Sequence, residues 1–187
     1  MTDSARWAVR QAAHCINQGG IVAYPTEAVY GLGCDPLNEQ AVMRLLGIKQ
    51  RDPRQGLILI GCSIEDFDAY IQPVEPDVLK QLDQSWPGPV TWLLPASTKC
   101  PRWLTGEHDT IAIRATAHEM ARELCRQSGM AIVSTSANRS GRPPARSAFQ
   151  VRRELGSEID FLLHGATGGR LRPSEIRDAR TNQLIRG

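Results

Sequence analysis

The 187 residues carry 22 lysines and arginines against 20 acidic groups, with 41% hydrophobic and 22% charged side chains, the proportions of an ordinary globular domain with one substantial core. No run approaches the ~20 apolar residues of a membrane-spanning helix, and residues 1–6, MTDSAR, lack the basic-then-apolar build of a secretory signal, so a soluble, cytoplasmic protein is expected. The near-neutral total hides an asymmetry: residues 1–138 hold 12 basic and 15 acidic groups, whereas residues 139–187 hold 10 arginines and 5 acids, which suits either a phosphate-bearing partner or a solvated face.

In chain order, a helical pattern over residues 4–18 leads into an apolar run at 20–24, and a helix over 38–49 leads into a run at 57–61. Further helices are expected at 63–70, 76–86, 117–127 and 147–155, and further strands at 90–94, 111–114, 131–135, 160–164 and 183–186. Asn38 is placed to cap the second helix, whose Ala41, Val42, Leu45 and Leu46 form one apolar stripe. Ser63 with Asp66 resembles a capping box, and Gly129 stands where a left-handed residue closes a helix. Segment 86–92, WPGPVTW, reads as a rigid turn supporting the next strand. About seven strands among six helices, without strict alternation, predict an α/β or α+β fold over residues 1–187: one domain built on an open mixed sheet. The five cysteines are odd in number and widely spaced, with no CxxC pair, and are expected to be reduced and mostly buried.

Three polar clusters follow strands or close a helix. Residues 25–33, PTEAVYGLG, stop a strand at Pro25, bring Thr26, Glu27 and Tyr30 to its end, and supply Gly31 and Gly33 for close backbone approach. Strand ends are where open sheets of this kind bind ligands. Residues 49–54, KQRDPR, put Lys49, one of three lysines against 19 arginines, two positions before Arg51, a point charge and a fork within reach of one phosphate group. Lys49 is expected at an exposed helix end, so its removal should cost ligand use far more than folding. Residues 134–141, STSANRSG, concentrate hydroxyls and an amide that can turn towards phosphate oxygens. Taken singly, each cluster reads nearly as well as capping or turn chemistry. Arg114 closes an otherwise apolar strand and needs a partner anion, for which a ligand carboxylate is a candidate. There is no Walker A loop, no G-x-S-x-G elbow and no H-E-x-x-H, and the four histidines are scattered.

In sequence order, PTEAVYGLG, KQR, WPGPVTW, IAIR, STSANRSG and PSEIRD (173–178) resemble the motifs of the YrdC/TsaC family, most closely its short bacterial form. The likeness covers nearly the whole chain. It implies a twisted open sheet with helices around a concave, positively charged cavity. It further implies synthesis of threonylcarbamoyl-AMP and pyrophosphate from L-threonine, bicarbonate and ATP, a nucleotidyltransfer that serves threonylcarbamoyladenosine modification of tRNA. By the same resemblance, Lys49, Arg51, Ser134, Ser136, Asn138, Ser174 and Arg186 would hold the ATP phosphates. Thr26, Tyr30 and Arg114 would serve threonine and carbamate, and Lys49, Arg51 and Thr26 would be the catalytic set. Mg²⁺ is expected to come with ATP, with no dedicated metal site and no tightly bound cofactor. Transfer would reach tRNA directly or through TsaB-, TsaD- and TsaE-like proteins, without a membrane. Three departures stand out: Ala28 where the family often has Thr, Gln55-Gly56 for Asn-Pro, and Ile60 where longer relatives place a His. The alternative reading is an RNA-binding or ribosome-assembly module of the same fold without catalysis. With only three Phe and three Tyr, base stacking would be a minor part of it.

Overall fold

The computed structural model describes residues 1–172 and 174–186, so Pro173 of the PSEIRD motif and Gly187 lie outside the described residues. Six α-helices are seen: α1 (Asp3–Asn17), α2 (Glu39–Lys49), α3 (Pro76–Ser85), α4 (Arg102–Thr105), α5 (Glu119–Ser128) and α6 (Ala148–Leu155). Nine strands join one sheet: β1 (Val22–Pro25), β2 (Tyr30–Gly33), β3 (Ile58–Gly61), β4 (Val90–Pro95), β5 (Thr110–Ala115), β6 (Ile132–Ser136), β7 (Phe161–Leu162), β8 (Glu175–Asp178) and β9 (Leu184–Arg186). Their spatial order is β7-β1-β2-β6-β3-β5-β4-β8-β9. Pairing is parallel at β1/β7, β3/β5 and β4/β8 and antiparallel elsewhere, the mixed open sheet expected from the pattern.

Local chemistry explains the helix limits. Asn38 accepts from the Ala41 amide at 3.0 Å and starts α2. Gly129, at φ 71°, closes α5 in the left-handed region. In the WPGPVTW segment the Trp86 ring packs on Phe67 and its Nε1 donates to the Val90 carbonyl at 2.7 Å, bracing β4.

Two strands and two helices depart from the expected pattern, among them α4, which was not expected and at four residues is too short to show a helical period. Strands β2 (YGLG) and β8 (EIRD) are four residues each and lack an apolar run, so their alternation is too short to register. The helix expected at 63–70 is only a 3-10 turn at Ile64–Phe67. Ser63 makes no cap bond there; instead the Asp66 carboxylate turns back to accept from the Cys62 amide at 2.6 Å, tying the turn to the end of β3. All five cysteines are free, with Cys34, Cys100 and Cys125 buried.

What positions the site is how the two sheet faces are covered. Alternate residues share a face. On one, Ala23, Leu32, Leu59, Ile113 and Val133 join the large core under α2 and α3, with Leu45, Leu46 and Leu82. On the other, Val22, Tyr24, Ile60 and Ile132 are covered by Val9, Ala12 and Ile16 of α1 and by Ala121 and Leu124 of α5. The rest of that second face, in the rows through Ser134, Ile58, Ala112 and Leu93, becomes the floor of a cavity.

The glycines of β2 let this face close. A Cβ on Gly33 would stand 2.6 Å from the Val133 carbonyl and 2.9 Å from the Tyr24 ring, so the close approach here is to Tyr24 packing rather than to a ligand. Gly33→Ala should therefore overpack the sheet by about 1–3 kcal/mol and lower Tm by several degrees. A thermal melt of the purified variant checks this, and an unchanged Tm would contradict the assignment.

Candidate active site

The cavity holds about 510 Å³ and is lined by the turn between β1 and β2, by residues of β2, β3, β4, β5 and β6, by the segment after the Pro53–Gln55 turn, and by residues of β8 and β9. Eight of the ten residues singled out in the sequence line it: Thr26, Tyr30, Arg51, Arg114, Ser134, Ser136, Ser174 and Arg186. Four arginines, at 51, 114, 172 and 186, face a single carboxylate, Glu27, so the cavity is strongly positive. Its volume and mixed lining suit a nucleotide-sized anion.

Lys49 and Asn138 are not on that wall. Lys49 is 3% exposed, against the expectation of an exposed helix end. Its ammonium donates to the carbonyls of Ser136 (2.5 Å) and Asn138 (2.8 Å) and to Asn138 Oδ1 (3.2 Å). The reason is that the end of α2 lies under the loop after β6, whose carbonyls would otherwise be buried without donors. Asn138 completes the knot: its Oδ1 accepts from the Ser136 hydroxyl at 2.6 Å and its Nδ2 donates to the carbonyls of Arg139 and Arg142. Burial first, and then the nearby Arg51 charge, push the Lys49 ammonium down to about 8.

Arg114 also differs from expectation in its partner. Its guanidinium lies 2.7 Å from Glu27 Oε2, and both side chains are largely buried. Glu27 Oε1 in turn accepts from the Thr116 hydroxyl at 2.8 Å and the Ala117 amide at 3.2 Å. A buried guanidinium without an anion is too costly, and the chain supplies the carboxylate itself. Burial alone would raise the Glu27 carboxyl, but Arg114 and the Thr116 hydroxyl outweigh it and hold it below the usual carboxylate range. The pairing leaves Arg114 Nε buried with no partner, and Arg51 Nε is in the same condition although Arg51 donates to the Gly56 carbonyl at 2.9 Å.

Thr26 and Tyr30 are fixed before any ligand binds. The Thr26 hydroxyl donates to the Val29 carbonyl at 2.8 Å, closing the turn between β1 and β2. The Tyr30 hydroxyl donates to the Gly165 carbonyl at 2.6 Å and accepts from its amide at 3.1 Å, pinning segment 165–172 over the cavity rim. Ser174 accepts from the Thr91 hydroxyl at 3.1 Å. Sequence reasoning assigned no role to Glu27, although it stands inside the first cluster; the chain separation of 89 residues to Thr116 hides their contact. Arg172 carried only the general signal of the arginine-rich segment. Ile60 is fully buried under α1 and α5 and is not part of the lining, so its departure from longer relatives removes nothing from the cavity wall seen here.

An open mixed sheet with a cationic, hydroxyl-lined cavity at its strand ends defines a small α/β protein built to hold a nucleotide-sized anion. Residues 14–187 match the family model Sua5_yciO_yrdC, described as "Telomere recombination", and the chain belongs to this family. It is 52% identical over 180 residues to the threonylcarbamoyl-AMP synthase of Nitrosococcus oceani, covering 96% of this chain and 97% of that one. It is 53% identical over 178 residues to that of Halorhodospira halophila, covering 95% and 93%. Among solved structures, P. abyssi Sua5 complexed with L-threonine superposes with a TM-score of 0.87 at 36% identity, over 92% of this chain and 51% of that one, so the chain spans about half of that protein. E. coli YciO, at 23% identity and a TM-score of 0.85, shares the fold over 97% of this chain and 89% of its own.

Two outcomes follow from the ion pair and the buried lysine. Glu27→Gln strands Arg114 and should cost about 3–5 kcal/mol. Because the folded Glu27 carboxyl lies below its ordinary value, the stability it contributes is present above the ordinary carboxylate range and is lost as pH falls through the folded value. Acid-titrated unfolding of wild type and variant should therefore converge at low pH; a constant gap would refute the pairing. As for Lys49, its ammonium releases a proton as pH rises through about 8, whereas a bound anion favours the charged form. Nucleotide affinity measured by calorimetry should fall as pH climbs past 8, and Lys49→Met, although less stable, should lose that slope.

Proposed function

We propose that this chain is an L-threonylcarbamoyladenylate synthase that makes threonylcarbamoyl-AMP and pyrophosphate from L-threonine, bicarbonate and ATP. The observation that carries the reading is the cavity lined by four arginines and by Ser134, Ser136 and Ser174. Near-complete coverage of relatives bearing that name supports it.

A carbamate formed on the threonine nitrogen attacks the α-phosphorus of ATP and pyrophosphate leaves. No enzyme nucleophile is needed for this, and the catalytic task is to position the reactants and offset charge. Arg51, Arg186, Ser134, Ser136 and Ser174 take the phosphate side, with Lys49 and Asn138 holding the β6 loop from behind and adding a positive field. Thr26, Tyr30 and Arg114 take the threonine and carbamate side, with the Glu27 carboxylate holding the Arg114 guanidinium at the cavity wall. Mg²⁺ would enter with the ATP phosphates, the one carboxylate of the cavity lining, Glu27, being committed to Arg114 and Thr116.

The continuous nine-stranded sheet supports treating residues 1–187 as one working unit. No described helix is long and apolar enough to cross a membrane, and a cytoplasmic enzyme serving tRNA, alone or with TsaB-, TsaD- and TsaE-like proteins, fits that observation.

The test is omission. Purified protein with ATP, Mg²⁺, threonine and bicarbonate should release pyrophosphate, and leaving out threonine or bicarbonate should abolish the release. Release indifferent to both would sink the synthase reading and favour a nucleotide-binding module.

A further inference from the structure

Tyr24, on β1, is among the largest fully buried side chains of the molecule, and its hydroxyl has no hydrogen-bond partner among the described residues. Packing alone would favour a phenylalanine there, since a buried hydroxyl without a partner gives up its bonds to water for nothing.

The strand register shows where that hydroxyl lies. Tyr24 pairs with Gly31 across β1 and β2, and Gly31 pairs with Ser136 across β2 and β6. The same antiparallel register, continued by the bond from the Val133 amide to the Cys34 carbonyl, sets Gly33 beside Ser134. Tyr24, Ser134 and Ser136 therefore share one sheet face, with only glycines of β2 between them. The ring uses that lane, because a Cβ on either Gly31 or Gly33 would stand 3.4 Å from the Tyr24 hydroxyl oxygen. Tyr24 thus reaches across β2 towards the two serines of β6 that line the cavity.

Most groups around this point are already engaged. Burial raises the Tyr24 hydroxyl above the ordinary phenol range; the Ser134 hydroxyl opposes that, and Cys125, Arg114 and Glu27 act on it less. The Cys125 thiol donates to the Ile60 carbonyl at 3.6 Å, and Arg114 and Glu27 hold each other at 2.7 Å. The Ser136 hydroxyl is bonded to Asn138 Oδ1 at 2.6 Å. Ser134 remains. A serine hydroxyl has one proton and two lone pairs, and an ionised phosphate oxygen only accepts, so a serine bound to phosphate points its proton at the ligand and has a lone pair free for another donor. A phenol that stays protonated is such a donor, and a hydrogen bond received by Ser134 strengthens the one it gives.

We propose that Tyr24 is a positioning residue whose hydroxyl donates to Ser134 Oγ while Ser134 donates to a nucleotide phosphate, fixing the serine proton towards the ligand. The choice of ligand rests on the synthase reading, in which Ser134 takes the phosphate side.

The experiment measures affinity for ATP and for adenosine by calorimetry in the wild type, Tyr24→Phe, Ser134→Ala and the double variant. Tyr24→Phe deletes one oxygen at constant shape, so its Tm should match or exceed that of the wild type. It should bind ATP about three- to ten-fold more weakly, the loss expected for one hydrogen bond, and bind adenosine, which has no phosphate, as the wild type does. In the Ser134→Ala background, Tyr24→Phe should cost nothing further, because its acceptor is gone. Should the alanine variant fail to fold, Ser134→Cys, close in shape but a weak acceptor, closes the same cycle. Equal loss in both backgrounds, equal loss for ATP and adenosine, or unchanged ATP affinity in Tyr24→Phe would each overturn the proposal. Pyrophosphate release from ATP, threonine and bicarbonate without this coupling would remove Tyr24 and leave the synthase reading standing, whereas coupling in ATP affinity without that release would do the reverse.

Discussion

The buried ammonium of Lys49 is the contact on which the site's geometry hangs. It joins the end of α2 to the loop after β6 through three acceptors, and the return bond from the Ser140 amide to the Lys49 carbonyl at 2.7 Å closes the tie. The same loop is stitched to β2, where the Ala137 amide donates to the Tyr30 carbonyl and the Tyr30 amide to that of Ala145. Ser134 and Ser136 therefore stand at fixed points of the cavity wall, and Tyr30 is locked with them. A lysine suits this place because its three N–H donors match three converging oxygens, whereas a planar guanidinium would not. The cost is a charge buried close to Arg51, which appears as the depressed Lys49 value.

The ion pair of Glu27 and Arg114 plays the complementary part at the other end. The two sit on separate elements, the turn after β1 and the end of β5, and the Thr116 hydroxyl and Ala117 amide fix the carboxylate from the far side. The Arg114 guanidinium is thereby anchored to its carboxylate at the cavity wall. Reactions that depend on placing two substrates in line gain from such rigidity, because the ordering is complete before binding. Thr26 and Tyr30 show the same economy, their hydroxyls already engaged with Val29 and Gly165.

Much of this was legible in the sequence, and the failures have physical causes. The strands with apolar runs and the capped helices at Asn38 and Gly129 were readable because their signals are local. The polar clusters were readable through their joint order rather than singly, since each alone reads nearly as well as capping or turn chemistry. Strands β2 and β8 were not, since YGLG and EIRD owe their pairing to neighbours rather than to their own propensity. The burial of Lys49 was hidden because a cation at a helix C-terminus is ordinarily solvated, and only the β6 loop, 87 residues on, covers it. Arg114 was rightly expected to need an anion, but nothing in the sequence says that the anion is Glu27. Nor does composition reveal that Phe149, one of three phenylalanines, faces water.

The coverage of the sheet ties these observations together. Helices α1 and α5 cover one end of a face whose other end bears Ser134, Ile58, Ala112 and Leu93, so the cavity is a region the fold leaves without a helix. A bare sheet face carrying apolar side chains would favour aggregation, and the arginines around it oppose that by mutual repulsion as much as they attract an anion. The charge of the cavity gives a polyphosphate the advantage over an uncharged ligand of equal size. Segment 165–172 reaches this cavity through Arg172 and is held to the sheet by the two bonds between Tyr30 and Gly165, so its cation meets the anion from a tethered position.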